Sequence, residues 1–165
     1  MSDGLSVRAA KVDELPEVGE LTVAAFVADG FVAEGHPYAD RLADTVSRHR
    51  DAELLVATDE SERLLGTVTV CRPGTPYAQV AGQDELEFRM LAVHPAARGR
   101  GAGRALVGSV LERARAEGFR GVALSTGPAM RTAQQLYERL GFQRAPDRDW
   151  PVNESLSLLV FAMRL

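Results

Sequence analysis

The sequence predicts one α/β (α+β) domain organised around a mixed sheet. Its 165 residues fit a single domain with a full core. Its second half alternates strand-like and helix-like runs. Its first half contains two β-type runs, 53–58 and 64–71, separated by a charged turn, which is the pattern of a hairpin. Because alternation favours parallel strands and a hairpin is antiparallel, we expect both arrangements in one sheet.

The elements of the first half follow from apolar spacing and turn residues. A weakly alternating run at 5–10 predicts the first strand. Asp13 is the predicted N-cap of a helix that runs to about residue 28. After a loop with two glycines and a proline, 29–37, a second helix is predicted over about 38–50. The expected apolar positions of the two helices are Leu15, Val18, Leu21, Val23 and Phe26, then Leu42 and Val46.

The second half begins with a long loop, 72–85, and continues in regular elements. In chain order these are a strand that stops at Pro95, a helix, a strand, a helix and a closing strand: 86–93, 103–117, 121–126, 129–140 and 155–165. We expect the closing strand to pair with the chain near Phe142.

Composition and charge exclude several classes of function. The net charge is −4, with 19 basic and 23 acidic residues, so neither a nucleic acid nor an anionic membrane is predicted as a partner. Cys71 is the only cysteine, and His36, His49 and His94 are scattered, so no metal site is predicted. The start lacks a leader-like apolar region and no run is long enough to span a bilayer, which predicts a soluble cytoplasmic protein.

The stretch RMLAVHPAARGRGAGRALV, residues 89–107, passes from a strand to a helix through a turn of glycines and arginines. A helix N-terminus has unpaired N–H groups and partial positive charge, and glycines let an anion approach the backbone. The spacing fits neither a Walker loop nor a dinucleotide-binding turn. The alternative is a flexible turn with solvated arginines. The glycines are Gly99, Gly101 and Gly103, and the arginines are Arg98, Arg100 and Arg104.

With this turn the sequence resembles the GNAT superfamily of acetyl-coenzyme A-dependent N-acetyltransferases. The family's strand ending and its R-x-x-G-x-G motif appear at 91–95 and 98–103. A second family element, A..LY...GF, follows about 30 residues later. It consists of Ala133, Leu136, Tyr137, Gly141 and Phe142. Either motif alone is weak, but the two in this order, joined by the expected strand, are specific.

The resemblance implies a single GNAT domain over 1–165, with about six to seven mostly antiparallel strands and about four helices. It also implies acetyl-CoA as the acyl donor. The turn's amides and Arg98 would bind the pyrophosphate of coenzyme A, and the backbone at 91–93 would pair with the pantetheine arm. The implied donor-binding residues are Leu91, Ala92, Val93, Arg98, Gly99, Arg100, Gly101, Ala102 and Gly103. Many members have asparagine where this chain has Met130, so Ser125 or Thr126 is a candidate substitute.

Two residues are the candidates for proton transfer. The resemblance makes Tyr137 the acid that protonates the departing thiolate; periodicity alone would make it a core tyrosine. A glutamate on the 86–93 strand would accept the acceptor's proton, and Glu87 matches better than Glu85 by position. Strand parity places both glutamates with Arg89, Leu91 and Val93, opposite an apolar set that faces the core. The alternative is that both glutamates are solvated. The N–H of Val93 is the candidate oxyanion donor.

The predicted function is N-acetylation of a primary amine, of a small molecule, by direct attack in a ternary complex. Two loops, 28–40 and 145–155, carry acidic and aromatic residues that suit a cationic or aromatic amine. The alternatives are a protein lysine or N-terminal acetyltransferase, a non-catalytic acyl-CoA-binding module, and a phosphate-binding module unrelated to coenzyme A. The acceptor, the acyl chain length and the oligomeric state stay open, with a homodimer among the alternatives.

Overall fold

An eight-stranded sheet runs through the computed structural model, which describes residues 4–165. The strands are β1 Ser6–Ala9, β2 Glu53–Thr58, β3 Leu64–Cys71, β4 Glu85–Val93, β5 Gly121–Thr126, β6 Gln143–Arg144, β7 Trp150–Asn153 and β8 Leu156–Arg164. Their order is β1-β2-β3-β4-β5-β8-β6, with β7 paired to β8. Only β4 and β5 are parallel. The mixed, mostly antiparallel sheet is therefore confirmed, and β6 and β7 are short strands that bring the count above the expected number.

Five α-helices cover the two faces of this sheet. They are α1 Leu15–Ala28, α2 Pro37–Ala43, α3 Thr45–Asp51, α4 Ala102–Ala116 and α5 Arg131–Arg139. Helix α4 and Tyr137 of α5 share a large apolar core with one face of the sheet. Helices α1 and α2 contribute to two smaller cores on the opposite face. In the following we call these the α4–α5 face and the α1–α3 face.

The helix predicted over about 38–50 is two helices, because the chain breaks at Asp44. Its backbone leaves the helical region, and its carboxylate accepts a hydrogen bond from the Ser47 N–H at 3.1 Å. Asp44 thereby caps α3, the role in which aspartate is most favourable near a helix. The break rotates the second segment, so Leu42 is fully buried while Val46, its predicted partner, is 66% exposed.

The alternation of side chains between the two faces of β4 is interrupted at Met90, which has a positive φ of 55°. Its pairing with β3 shifts register there, so the strand contains a bulge. Before the bulge, Leu86 and Phe88 pack into the α4–α5 core; after it, Leu91 and Val93 pack there instead. The predicted alternation was therefore wrong beyond Arg89, because one extra residue exchanges the two faces. Met90 and Ala92 accordingly pack on the α1–α3 face.

Candidate functional site

Strands β4 and β5 separate partway along their length and leave a split in the sheet. Their parallel pairing covers only three residues of each strand and ends where Glu87 lies opposite Ala123. Beyond that point β4 pairs only with β3, and β5 only with β8. A sheet edge without a partner offers unpaired backbone groups to an extended ligand. The predicted donor-binding residues Leu91, Ala92 and Val93 lie on the β4 side of this split.

The glycine-arginine turn lies at the open end of the split and leads directly into α4. The first α4 backbone bond runs from the Ala105 N–H to the Gly101 carbonyl at 3.0 Å. The N–H groups of residues 102–104 precede that bond and have no partner within the helix. Gly101 caps the helix with a φ of +85°, a conformation that favours glycine. These free amides and the helix dipole favour an anion here.

Gly103 has a role in packing. A Cβ on this residue would come within 3.3 Å of the Leu136 side chain and 3.7 Å of the Val93 side chain. Its missing side chain therefore lets α4 approach α5 and β4, while its N–H remains one of the unpaired amides at the start of α4. At Gly99 and Gly101 a Cβ would meet almost nothing, so their side of the turn is open.

Arg98 has partners within the protein. Its Nε donates to the Val93 carbonyl at 3.0 Å, and its two terminal nitrogens donate to the Asp29 carboxylate at 3.0 and 3.1 Å. Asp29 caps the C-terminus of α1, so this ion pair joins the turn to the start of the 28–40 loop. The remaining arginines of the turn, Arg100 and Arg104, are exposed and belong to none of the ion pairs formed within residues 4–165. They supply the available positive charge.

Thr126 ends β5 on the opposite side of the split. Its hydroxyl is buried and has no hydrogen-bond partner. A buried hydroxyl without a partner costs about 1–3 kcal/mol, so a ligand group that satisfies it gains affinity. Met130 receives the Gly127 N–H on its sulfur at 3.4 Å. Of the two candidate substitutes, Thr126 has the unsatisfied group.

Tyr137 packs on the α4–α5 face among aromatic rings. Its side chain is 5% exposed, and edge-to-face contacts join it to Phe88 and Phe142 at 5.7 and 6.1 Å between centroids. Burial raises the pKa of its phenol, so the hydroxyl stays protonated at neutral pH. It meets the requirement for an acid, a proton to donate, and it is also the core residue that periodicity predicts. The two interpretations are compatible.

Glu87 lies at the vertex of the split and is fully buried. Its Oε1 accepts three hydrogen bonds from the 79–81 backbone N–H groups, at 2.7, 2.9 and 3.1 Å. Its Oε2 is buried without a partner. Burial raises the pKa of this carboxyl, although the three amide bonds act in the opposite direction. The alternative of a solvated Glu87 is therefore wrong, and one carboxylate oxygen has no hydrogen-bond partner within residues 4–165.

Glu85, two residues earlier, is engaged by another side chain. Its Oε1 accepts from Arg148 at 2.7 Å and from the Gly82 N–H at 2.9 Å, and its Oε2 accepts from Arg148 at 3.2 Å. Burial opposes ionisation of Glu85, but these donors outweigh it and lower its pKa. Glu85 therefore has the features of a structural anchor for the 145–155 loop.

Two of the acidic residues in the 28–40 and 145–155 loops have arginine partners. Asp29 is paired with Arg98, and Asp149 accepts two hydrogen bonds from Arg144 at 2.7 and 2.8 Å. Charges that are neutralised in this way attract a cationic ligand weakly. Within residues 4–165, no cluster of three or more metal-ligating side chains is present. Among the same residues, no helix is long and apolar enough to cross a membrane.

Sequence reasoning missed Arg48, a fully buried arginine of α3. It donates to the Thr69 hydroxyl at 3.1 Å, the Met90 sulfur at 3.2 Å and the Leu42 carbonyl at 2.6 Å. These partners lie up to 42 residues away in the chain, so no local pattern could have revealed the contacts. The one available signal was its position beside Leu42 in a segment predicted to be helical.

Comparison with known proteins identifies the family. The family model for Acetyltransferase (GNAT) family matches residues 16–142. This chain therefore belongs to the GNAT acetyltransferase family.

Individual relatives agree with this assignment. Mycothiol acetyltransferase of Cellulomonas flavigena is 33% identical over 117 residues, covering 66% of this chain and 34% of the relative. The chain thus spans about a third of that protein's length. A GNAT-family acetyltransferase of Staphylococcus aureus Mu50 has a TM-score of 0.74 at 13% identity, covering 98% and 99% of the two chains. A phosphinothricin acetyltransferase of Sinorhizobium meliloti, solved with acetyl-CoA, has a TM-score of 0.72 at 22% identity, covering 98% and 89%.

Proposed function

We propose that the protein is an acetyl-CoA-dependent N-acetyltransferase that acts on a primary amine of a small molecule. The observation that carries this proposal is the split between β4 and β5, which opens onto the unpaired amides at the start of α4. One continuous path therefore offers backbone groups for an amide-containing arm and an anion site at its end.

The residues along this path fit the donor. The 102–104 amides, with Arg100 and Arg104 beside them, would hold the pyrophosphate. The free edge of β4 and the Thr126 hydroxyl would hold the pantetheine arm, which carries amide groups that complement both. When bound, acetyl-CoA supplies an acetyl thioester.

We propose direct transfer to the amine because the only cysteine is unsuited to carry the acetyl group. Cys71 is fully buried, and burial raises the pKa of its thiol to about 12. The thiolate is the nucleophilic form, and at neutral pH almost none of it would be present. A ternary complex in which the amine attacks directly needs no such group.

Glu87 is the proposed acceptor of the amine's proton. An alkylammonium has a pKa near ~10, so it must lose a proton before its nitrogen can attack. The unpaired Oε2 of Glu87 lies at the vertex of the split, and its burial raises the carboxyl pKa, which makes it a stronger base than an exposed glutamate. The three amide bonds to Oε1 fix the orientation of the carboxylate.

Tyr137 is the proposed donor of the proton that the departing sulfur needs. The reaction forms one N–C bond and breaks one C–S bond, and the ammonium loses two protons in becoming an amide. One of these protons replaces the phenol proton that Tyr137 gives to sulfur, and the other leaves through Glu87 to solvent. Tyr137 and Glu87 therefore divide the two transfers between opposite faces of the sheet.

A small acceptor is favoured over a protein because the surroundings of Glu87 are enclosed. Residues 79–81 cover its Oε1, and the carboxylate has no exposed surface. A polypeptide would have to displace this loop to bring a lysine to Oε2, whereas a small amine needs a narrower opening. All the proposed site residues come from one chain, so the proposal requires no dimer.

Two measurements test the proposal. Calorimetry should show binding of coenzyme A, and free thiol should be released from acetyl-CoA when small primary amines are added. Peptides with free N-termini or lysines form the comparison set. Faster thiol release with peptides would favour the protein acetyltransferase, and binding without release for either set would favour the non-catalytic module. Absence of coenzyme A binding would overturn the proposal.

A further inference from the structure

The α1–α3 face contains a buried positive charge that no carboxylate balances. Arg48 is 0% exposed, yet its hydrogen bonds go to a hydroxyl, a thioether and a carbonyl. Its Nε is buried with no partner. Burial lowers the pKa of Arg48, as expected where a charge is removed from water without compensation. Buried charges are ordinarily paired, so this one stands out within the described chain.

Arg89 adds a second positive charge beside the first. Its guanidinium donates to the Tyr77 carbonyl at 3.2 Å and lies 5.9 Å from the centre of the Tyr77 ring. No ion pair of residues 4–165 includes Arg89. On β3, its register partner is Thr69, whose hydroxyl also accepts from Arg48. The two arginines thus approach the same point of the sheet from β4 and from α3.

Both arginines lie close to the proposed base. Glu87 and Arg89 are two residues apart on β4, before the bulge, so their side chains share the α1–α3 face. Their Cα atoms are therefore about 7 Å apart. With Glu87 ionised, the three side chains together carry one net positive charge, and with Glu87 protonated they carry two. This group therefore lacks one negative charge beside the vertex of the split.

We propose that the acceptor is a zwitterionic amine, an amino acid or a compound of similar size, whose anionic group pairs with Arg89 and Arg48 while its amino group meets Glu87. This inference rests on the proposed function and specifies its substrate class. The side chains of Glu87 and Arg89 leave the same face of β4, so one small molecule with an amino and an anionic group would contact both. A guanidinium binds a carboxylate with two parallel hydrogen bonds, so Arg89 would also orient the amine toward the split.

The inference changes the charge expected of the substrate. The acidic loops suggested a cationic amine, but two of their six acidic residues, Asp29 and Asp149, already have arginine partners. The unbalanced charge near the vertex is positive instead. A purely cationic acceptor would meet Arg48 and Arg89 as like charges in a poorly solvated place, which is costly.

The experiment compares matched acceptors that differ only in the anion. Amino acids with the amino group at the α, β or γ position are each assayed against their primary carboxamides by thiol release. We expect kcat/KM to be at least about 10²-fold higher for some acid than for its amide, since an unmatched charged site rejects the neutral analogue strongly. The amide has the less basic amine, so amine basicity alone would favour the amide.

Variants test which residues cause the preference for acids over carboxamides. Arg89→Gln should reduce the acid-to-amide ratio to about 1–3, and Arg48→Met should lower it as well. Arg115→Gln makes the same charge change at an exposed position of α4 and should leave the ratio unaltered.

The outcomes separate this inference from the function on which it rests. Coenzyme A binding with amides that match or exceed their acids, or with no acid accepted, overturns the zwitterionic acceptor and leaves the donor assignment standing. A preference for acids that persists in Arg89→Gln and in Arg48→Met also overturns it. Failure to bind coenzyme A at all defeats the proposed function instead.

Discussion

The two faces of β4 differ in what they bury. On the α4–α5 face, the strand packs only apolar residues against Tyr137 and the rest of a large core. On the α1–α3 face it buries Glu87 beside Arg89, with Arg48 close by. An apolar face tolerates burial at no electrostatic cost, whereas each buried charge costs free energy unless a partner satisfies it. The first face therefore contributes mainly apolar burial, whereas the second carries an electrostatic cost that a ligand of suitable charge would reduce.

The largest effect is expected at Tyr137, the proposed acid on the α4–α5 face. Tyr137→Phe keeps the aromatic contacts with Phe88 and Phe142 and removes only the hydroxyl. Loss of a general acid should lower kcat by about 10²–10⁴-fold. Thermal stability and coenzyme A affinity should change little. Steady-state kinetics with the true acceptor check this, and a wild-type kcat would reduce Tyr137 to a packing residue.

The next largest effect is expected at Glu87, the proposed acceptor of the amine's proton. Glu87→Gln preserves the shape, and the glutamine oxygen can still accept from the 79–81 amides, but the side chain no longer accepts a proton. We expect kcat at neutral pH to fall by about 10²-fold and to recover partly at high pH, where solvent deprotonates more of the amine. An unchanged pH–rate profile would remove Glu87 from the mechanism.

Stability provides an independent readout for the same variant. The folded-state pKa of Glu87 is raised, so its carboxyl favours folding below the unfolded pKa and loses that contribution as the pH rises through the folded value. At pH 7 the glutamine variant should therefore be as stable as the wild type or more stable. Thermal unfolding should show this difference shrinking as the pH falls through the folded-state pKa and vanishing below the unfolded value of about 4.5. The opposite trend would mean that the carboxylate is stabilised in the fold.

A smaller effect is expected at Thr126, on the β5 side of the split. Thr126→Val removes the unsatisfied hydroxyl and keeps the branched shape. Coenzyme A affinity should fall about 5-fold, the effect of one hydrogen bond, while unfolding stability stays equal or rises. Thr22→Val is the matched control, because the Thr22 hydroxyl is buried but already bonded to the Val18 carbonyl at 2.7 Å. Equal coenzyme A affinities for both variants would contradict a donor contact at Thr126.

The smallest kinetic effect is expected at Glu85. Glu85→Gln weakens the interaction with Arg148 and should destabilise the fold by about 1 kcal/mol at neutral pH, because Arg148 remains partly solvated. The pKa of Glu85 is lowered, so this stability is present above the unfolded pKa and lost as the pH falls through the folded value. Rates at neutral pH should match the wild type. A rate loss here, with none in Glu87→Gln, would move the base two residues along β4.

The two faces also differ in how far the sequence could predict them. The turn before α4 and the position of Tyr137 depend on local chemistry, namely glycine conformation and helix periodicity, and both could be located from short motifs. The α1–α3 face depends on contacts between distant residues: Arg48 reaches Thr69 and Met90, 21 and 42 residues away. Tertiary packing determines such contacts, and they cannot be predicted from secondary-structure propensity or from the hydrophobic period of the sequence.

Some contacts of the turn lay beyond the motif for a related reason. Arg98 donates to Asp29, which is 69 residues away in the sequence. Gly103 lies against the Leu136 side chain of α5. In both cases the motif predicted the correct backbone path, and only the fold could show which neighbour each residue meets.

The bulge at Met90 has a consequence for how this protein can change over evolution. Because of the extra residue, Phe88 and Leu91 pack in the same core although they are three residues apart in one strand. Deleting Arg89 or Met90 would remove the extra residue and leave Phe88 and Leu91 two residues apart, on one face of a regular strand. Deleting Glu87 instead would turn Phe88 away from that core. We therefore expect any change in the length of β4 among relatives of this chain to fall at 89–90.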